Sequence, residues 1–570
     1  MPGAPTSVDM NLREWSAAAV DPDGQDPPTP DEWVAVEGPE SPARFTGERT
    51  VAYRTHFADP GGERAELRLG GLYAHARVWL NGEFLGEHDA YFTPFTAVVD
   101  PADENELVVV CRASDDRFGG VFETDRLPPR DRVPGIRWDA TVEPVPEIAL
   151  TDLTVRPAEG DETGINAIVT VDAGTELSGR IRLTLHPADG EATSAMTSVG
   201  VAAEAGGRVT VQGRLSVRDP DRWWPRGFGS QRRYTVRAAL GDHERTATTG
   251  FRTVEYGSEG LVVNGTRVPV RGRVVLPTTD PEDAVEAIEH AAETNATLVR
   301  WYGHVPPESA YDAADEAGVL LVQDLPMSPG ALDAERARSL ARRLSGAYGH
   351  HASLGLFGVH DDAYEFETAT DQGSWRVLRA VGGREHAATA TAAAGALPGS
   401  IPTLAAPGLD AGVEDGTEGW VVDGYTGAAG DLDPGTHTRY AVAGTDAAAA
   451  TNAERTVAAL RRSGIPFLTV FAPPNAASVD ATLATGFEPV TVFLDDPTGP
   501  EPAVVVSNDT ADPIAGEVEW EAGERSGTVA VDLGPAARAT VGTVDPPAEA
   551  DSVDLVLSVG ERTVETSYPR

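Results

Sequence analysis

The residues of this chain best placed to do chemistry close the stretch 351–362, HASLGLFGVHDD, where His360, Asp361 and Asp362 follow an apolar run. A carboxyl group there can give or take a proton if it is held beside a substrate. Leu354, Leu356, Phe357 and Val359, interrupted by Gly355 and Gly358, have the composition of a short strand buried on both faces. In α/β barrels such strand ends carry the reactive groups. The competing reading is that two acids after a buried strand form a solvated turn or cap a helix. Glu365 and Glu367 follow closely, either as further carboxylates for the same strand end or as the start of a solvated helix.

Composition limits what these groups can act on. The chain has 570 residues, 41% of them hydrophobic, enough for roughly three to five domains. Its 89 acidic residues face 45 basic ones, every one of them arginine, for a net charge of -44. Such a surface repels nucleic acid. Acidity spread along the whole length is expected of a salt-loving organism, where dense counter-ions screen the self-repulsion. The single cysteine, Cys111, allows no intramolecular disulfide and no paired zinc ligands, and it reads as a core residue. No basic, then apolar leader opens the chain, and no run of about 18 apolar residues occurs, so a cytoplasmic protein without a membrane span is expected.

Taken in order, 51–111 alternates strand-like runs with turns, and the pair Asn81-Gly82 marks a hairpin flanked by Trp79 and Phe84. Residues 148–254 show short strands again, with turns at Gly160, Gly174, Gly190 and Gly207, as in an immunoglobulin-like sandwich. After Gly265 the period changes. PEDAVEAIEHAAETNA is a helix, TLVRWY a strand, PPESAYDAADEAG a helix ended by glycine, and VLLVQDLP a strand, the alternation of a parallel sheet. The stretch 387–412 is rich in alanine, glycine and proline and reads as a loop, and strand-like runs return from about Val490. There is no internal repeat, which excludes a solenoid.

Several of these segments resemble glycoside hydrolase family 2, the family of β-galactosidases, β-glucuronidases and β-mannosidases. VWLNGEFLGEH followed by YFTPF is similar to the family's N-terminal jelly roll, and VPGIRWDATVEP to the loop and strand that close it. DRWWPRGFGSQRRYTV resembles the tryptophan-proline element of the second domain in its β-mannosidase version. GFRTVEYGSEGLVVNGTRVPVRG resembles the junction into the barrel. Trp223 and Trp224 are read as interdomain packing rather than a sugar platform. NATLVRWYGHVPPESAYDAADEAGVLLVQDLPM is similar, element by element, to the barrel core, with Arg300 ending one strand and Gln323-Asp324 the next. Without the resemblance, Arg300 reads equally as an internal ion-pair residue.

In the family the strand matching 351–362 reads His-Pro-Ser, an apolar run, then Asn-Glu, the glutamate protonating the glycosidic oxygen. Here Asp361 stands for the asparagine and Asp362 for the glutamate, one methylene shorter; misplacement by about an ångström costs about a hundredfold in rate. WVVDGYTGAAGD resembles a later strand, with Asp423 and Tyr425 at substrate-facing places. YAVAGTDAAAATNAERTVAALRRSGIPFLTVFAPP resembles the last two barrel strands. The family nucleophile, a glutamate before an aromatic and a glycine, belongs on the first of them, yet this chain has Val442, Ala443, Gly444, Thr445 and then Asp446. Asp446 is either a displaced nucleophile or the cap of the alanine-rich helix after it.

The resemblance therefore implies an N-terminal β jelly roll (1–147), an immunoglobulin-like β-sandwich (148–256), a (β/α)8 TIM-type barrel (257–490) and a C-terminal β-sandwich (491–570). It implies a saccharide or glycan ligand, with Arg300, Asp324, His360, Asp361, Asp423 and Tyr425 as binding residues, and no cofactor or metal. The expected function is a carbohydrate-active protein whose pocket faces a β-linked sugar and whose catalysis is impaired. The alternative is an active retaining β-glycosidase with Asp362 as acid/base and a displaced carboxylate as nucleophile.

Overall fold

The computed structural model describes residues 10–21, 26–37, 42–62, 64–124, 127–158, 163–190, 192–257, 260–278, 280–328, 331–360, 388–406, 419–425, 437–472, 476 and 479–570. At 360, 404–406, 419–425 and 437–443 the description is of the backbone.

Residues 10–145 contain antiparallel sheets of four and six strands. Side chains from both, among them Val51, Tyr53, Leu67, Leu69, Val78 and Val109, meet in one buried cluster that also holds Cys111. Asn81 and Gly82 both take left-handed angles, φ 52° and 81°, as a tight hairpin turn requires. Trp79 and Phe84 pair across it with ring centroids 5.5 Å apart. Residues 148–249 form antiparallel sheets of three and four strands around a second cluster, and residues 490–569 repeat that plan around a third. In each, apolar residues alternate with exposed ones, the period of a half-buried strand.

Between them lies an eight-stranded sheet. Its strands are β1 (Val270–Val275), β2 (Leu298–Trp301), β3 (Leu320–Asp324), β4 (Leu354–His360), β5 (Thr403–Ala406), β6 (Gly419–Tyr425), β7 (His437–Ala443) and β8 (Phe467–Phe471). They are ordered β5-β4-β3-β2-β1-β8-β6-β7. Helices α1 (Pro281–Glu293), α2 (Glu308–Ala317), α3 (Ala334–Tyr348) and α4 (Ala447–Ser463) connect parallel-running strands. Their ends follow from sequence. Asp280, Asp333 and Asp446 cap α1, α3 and α4 by accepting backbone N–H groups, and Gly318 and Gly464 end α2 and α4 in the left-handed conformation.

This sheet departs from the expected regular (β/α)8 arrangement. β6 pairs antiparallel with both β7 and β8, and among the described residues the outer strands β5 and β7 are not paired. Parallel neighbours need a crossover, usually a helix, whereas antiparallel neighbours can be joined directly. Only residues 426–436 separate β6 from β7.

Trp223 ties the second module to this sheet. It is fully buried among Val263, Leu298, Leu320, Leu356 and Phe467, and its indole Nε1 donates to the Asp315 carbonyl at 2.9 Å. Trp224 packs against the same cluster. Among the described residues, no helix is long and apolar enough to cross a membrane.

Candidate functional site

Strand alternation sets the direction of each side chain. Leu298, Leu320, Val322 and Leu356 belong to one apolar cluster, so Arg300, Asp324 and Gly358 continue that face toward the C-terminal ends of β2, β3 and β4. Val299, Trp301, Leu321 and Phe357 belong to the opposite face, packed under the helices. The expected Arg300 and Asp324 thus do share one face and one end of the sheet.

They also bind each other. Arg300 Nε lies 3.2 Å from Asp324 Oδ1 and 3.0 Å from Oδ2, with Nη2 2.9 Å from Oδ2. Arg300 is 1% exposed and Asp324 0%. The Gly303 N–H donates a further bond to Asp324 at 3.3 Å. Gly358 is dictated by this pair, since a Cβ at that position would stand 1.8 Å from Asp324 Oδ1. Gln323 points the other way: it accepts from the Tyr311 hydroxyl on α2, and its amide donates to the carbonyls of His304 and Asp324 at 2.7 and 2.6 Å.

Two further groups near these strand ends were not singled out in the sequence. His304 is buried, donates from Nδ1 to the Tyr302 carbonyl at 3.1 Å, and is pushed down to about 4 by burial. It is therefore a neutral imidazole at ordinary pH. Arg137, from the N-terminal module, lies over the rings of Tyr73 and Phe122 and donates to the carbonyls of Asp131 and Val133. With Trp138, Trp301 and Tyr91 these two line a narrow crevice between the module and the strand ends. The only sequence signals were membership of the matched stretches RWYGH and GIRWD, because no local spacing brings residues 137 and 304 together.

The N-terminal module walls one side of the strand ends. The Val121 N–H donates to the Gly303 carbonyl at 2.9 Å, the Val305 N–H donates to the Tyr91 hydroxyl at 2.8 Å, and the Ser328 hydroxyl donates to the Gly120 carbonyl at 3.0 Å. Gly120 sits at φ 62°, and a Cβ there would stand 1.8 Å from the Gly303 oxygen.

The remaining expected site residues divide into three groups. His360 ends β4 beside Ala406 of β5, at the same end as Asp324. Asp423 and Tyr425 lie on the reversed strand β6: Asp423 pairs with Thr469 and Tyr425 with Phe467, whose other neighbour is Val270 at the start of β1. The reversal carries β6 away from the end where Arg300 and Asp324 lie. Asp446 is the exposed N-cap of α4, its Oδ1 accepting from the Ala449 N–H at 2.9 Å. Asp361 and Asp362, with Glu365 and Glu367, fall outside the described residues.

Comparison with known proteins adds lineage. Residues 148–252 match the family model described as glycosyl hydrolases family 2. The chain is 28% identical over 388 residues to a curated β-mannosidase B of Thermothelomyces thermophilus, covering 57% of this chain and 44% of that one. The chain thus contains a segment of glycoside hydrolase family 2 type, residues 148–252. It spans less than half the length of that relative. Among solved structures it is similar to a β-D-mannosidase of Dictyoglomus thermophilum, with a TM-score of 0.73, 15% identity and coverage of 99% and 89% of the two chains. It is also similar to an exo-chitosanase of Amycolatopsis orientalis, with a TM-score of 0.69, 17% identity and coverage of 99% and 84%. Those likenesses concern the fold.

Proposed function

We propose that this protein is a family-2 carbohydrate-active protein that holds a β-linked saccharide against the C-terminal ends of β2–β4 and has impaired hydrolysis. In this reading the chain divides at 1–147, 148–256, 257–490 and 491–570, the third part being a modified TIM-type barrel, and the protein works in the cytoplasm of a salt-loving cell. Asp362 takes the acid/base place, with His360 and Asp361 beside it; Asp423 and Tyr425, on the reversed β6, are left out of this site.

The observation that carries the reading is the fate of the two described carboxylates that were candidates for the strand-end site. Asp324 is engaged by Arg300, and Asp446 caps a helix. Double displacement needs two carboxyl groups about 5–5.5 Å apart across the anomeric carbon, one of them free to attack. The second reading, an active retaining β-glycosidase, is favoured by a fold that matches a β-mannosidase over 99% of this chain.

The test is an aryl glycoside panel of β-mannoside, β-glucuronide and β-glucosaminide, run in molar KCl on wild type, Asp362→Asn and Asp446→Asn. Saccharide binding without turnover is expected. Robust turnover lost in either variant, or a stable adduct from a fluorinated glycoside seen by intact mass, establishes the second reading instead.

A further inference from the structure

On the other side of the central sheet from the strand-end site, α2 faces the turn between α3 and β4. Glu308, Asp312 and Asp315 lie on α2 at spacings of four and three residues, hence on one helix face. Opposite them, His351 is 1% exposed and its Nδ1 sits 2.9 Å from Asp315 Oδ2. Asp315 also accepts the Ser353 N–H at 2.6 Å. With Nδ1 committed to Asp315, the donor left on this ring is Nε2, which is buried and has no hydrogen-bond partner among the described residues. The neighbouring His350 ring lies 4.1 Å away, centroid to centroid, and its Nδ1 is likewise buried and unpartnered. Two buried imidazole nitrogens without partners, side by side, are unusual, because buried polar atoms are nearly always hydrogen-bonded.

One donor atom from each of Glu308, His350 and His351 falls within 4.8 Å of the other two. We propose that Glu308, His350 and His351 form a site for a borderline divalent cation of the zinc type, with Asp315 orienting His351 from behind. Two imidazoles and one carboxylate suit such an ion, leaving a fourth position for water. A carboxylate on the far nitrogen of a ligating histidine fixes its tautomer and raises its basicity, and Asp315 occupies that place. His350 offers Nδ1, which is buried and without a hydrogen-bond partner among the described residues. Asp312, with Oδ1 4.0 Å from His351 Nδ1, adds negative charge nearby. Arg68, 3.8 Å from Glu308 and 38% exposed, competes with the ion for that carboxylate.

The site also has a structural consequence. The Thr249 hydroxyl donates to the His350 carbonyl at 2.7 Å, and Arg252 donates to the carbonyls of His351, Ala352 and Leu354. A bound ion would therefore lock α2 to the turn that the second module grips. The donors come from segments far apart in the chain, which is why no ligand spacing announces them.

The experiment uses the full chain, stripped with chelator and returned to molar KCl with excess Mg2+ to fill ordinary carboxylate sites. Zn2+ is titrated by calorimetry and Co2+ by visible absorption. The expected result is one ion per chain, a four-coordinate Co2+ band, and a Zn2+-dependent rise in Tm. His350→Gln and Glu308→Gln each lower affinity at least tenfold, while the exposed His290→Gln changes nothing. Glu308 is exposed, so its variant reports even if the histidine variant folds poorly. No stoichiometric Zn2+ uptake above the Mg2+ background, or uptake indifferent to Glu308→Gln, overturns the proposal. None of these readouts depends on glycoside turnover.

Discussion

One buried ion pair stands at the strand ends of the central sheet and another joins α2 to the turn into β4, and the two differ in the chemistry of the cation. At the strand ends Arg300 faces Asp324, with exposures of 1% and 0%; at the turn into β4 His351 faces Asp315, each 1% exposed. A guanidinium keeps its proton at every relevant pH, whereas an imidazole does not. The strand-end pair therefore presents constant charge to whatever binds there. The pair near the second module carries a charge that can titrate, its pKa raised by Asp315, and has a ring nitrogen to spare.

The largest expected effect comes from removing one member of the constant pair. Asp324→Ala leaves a buried guanidinium without its counter-charge and should cost about 3–5 kcal/mol by denaturant unfolding in molar KCl. The double variant Arg300→Met/Asp324→Leu should recover most of that loss, because a buried apolar pair carries no desolvation penalty. A single variant as stable as wild type would show that the pair is not desolvated, and the contrast between the two sites would collapse.

The pH dependence of the second pair should be smaller, with a sign that can be derived. Burial disfavours the charged His351 ring, but the charge and hydrogen bond of Asp315 outweigh it and raise its pKa above 6.5. That stabilisation is complete below pH 6.5 and is lost as pH rises through the raised folded value. Burial likewise opposes the Asp315 carboxylate, yet His351 and Ser353 outweigh it and hold its pKa below 3.8. Its share is present above 3.8 and is lost as pH falls further. The stability difference between wild type and Asp315→Asn should therefore be greatest between these limits and shrink above pH 6.5, by at most about 1.4 kcal/mol per pH unit. His304 contributes an opposite slope: burial depresses it to about 4, so its stabilisation is lost as pH falls from 6.5 toward that value. His304→Gln should flatten the acid limb and leave the alkaline limb unchanged. A difference between wild type and Asp315→Asn that stays constant above pH 6.5 would remove His351 from the account.

The contrast also explains what was legible in the sequence. The helix end at Gly318, the Asn81-Gly82 turn and the parallel alternation through β2 and β3 follow from local rules of capping, turn chemistry and period, and all are present. Arg300 and Asp324 were found through a motif, because both end strands that the period already marks. Asp315 and His351 lay inside stretches read for other reasons and His350 just before one, and their grouping depends on how α2 packs against a distant turn. The reversal of β6 was missed for a related reason. Apolar alternation is the same in both directions, so a strand's period carries no sign of its polarity.

The smallest effect separates a cap from a nucleophile. Asp446 Oδ1 accepts the Ala449 N–H at the start of α4, a role that asparagine fills nearly as well as aspartate and alanine does not fill at all. Asp446→Ala should cost about 1 kcal/mol, and Asp446→Asn no more than a few tenths. The pair of variants is informative because the two roles make different demands on one oxygen: a cap needs an acceptor, whereas a nucleophile needs the negative charge that asparagine lacks. If Asp446 only ends a helix, Asp446→Asn leaves both melting temperature and any residual glycoside turnover at wild-type levels. An Asp446→Asn variant that melts like wild type but has lost all turnover would make Asp446, just after β7, the reacting carboxylate after all.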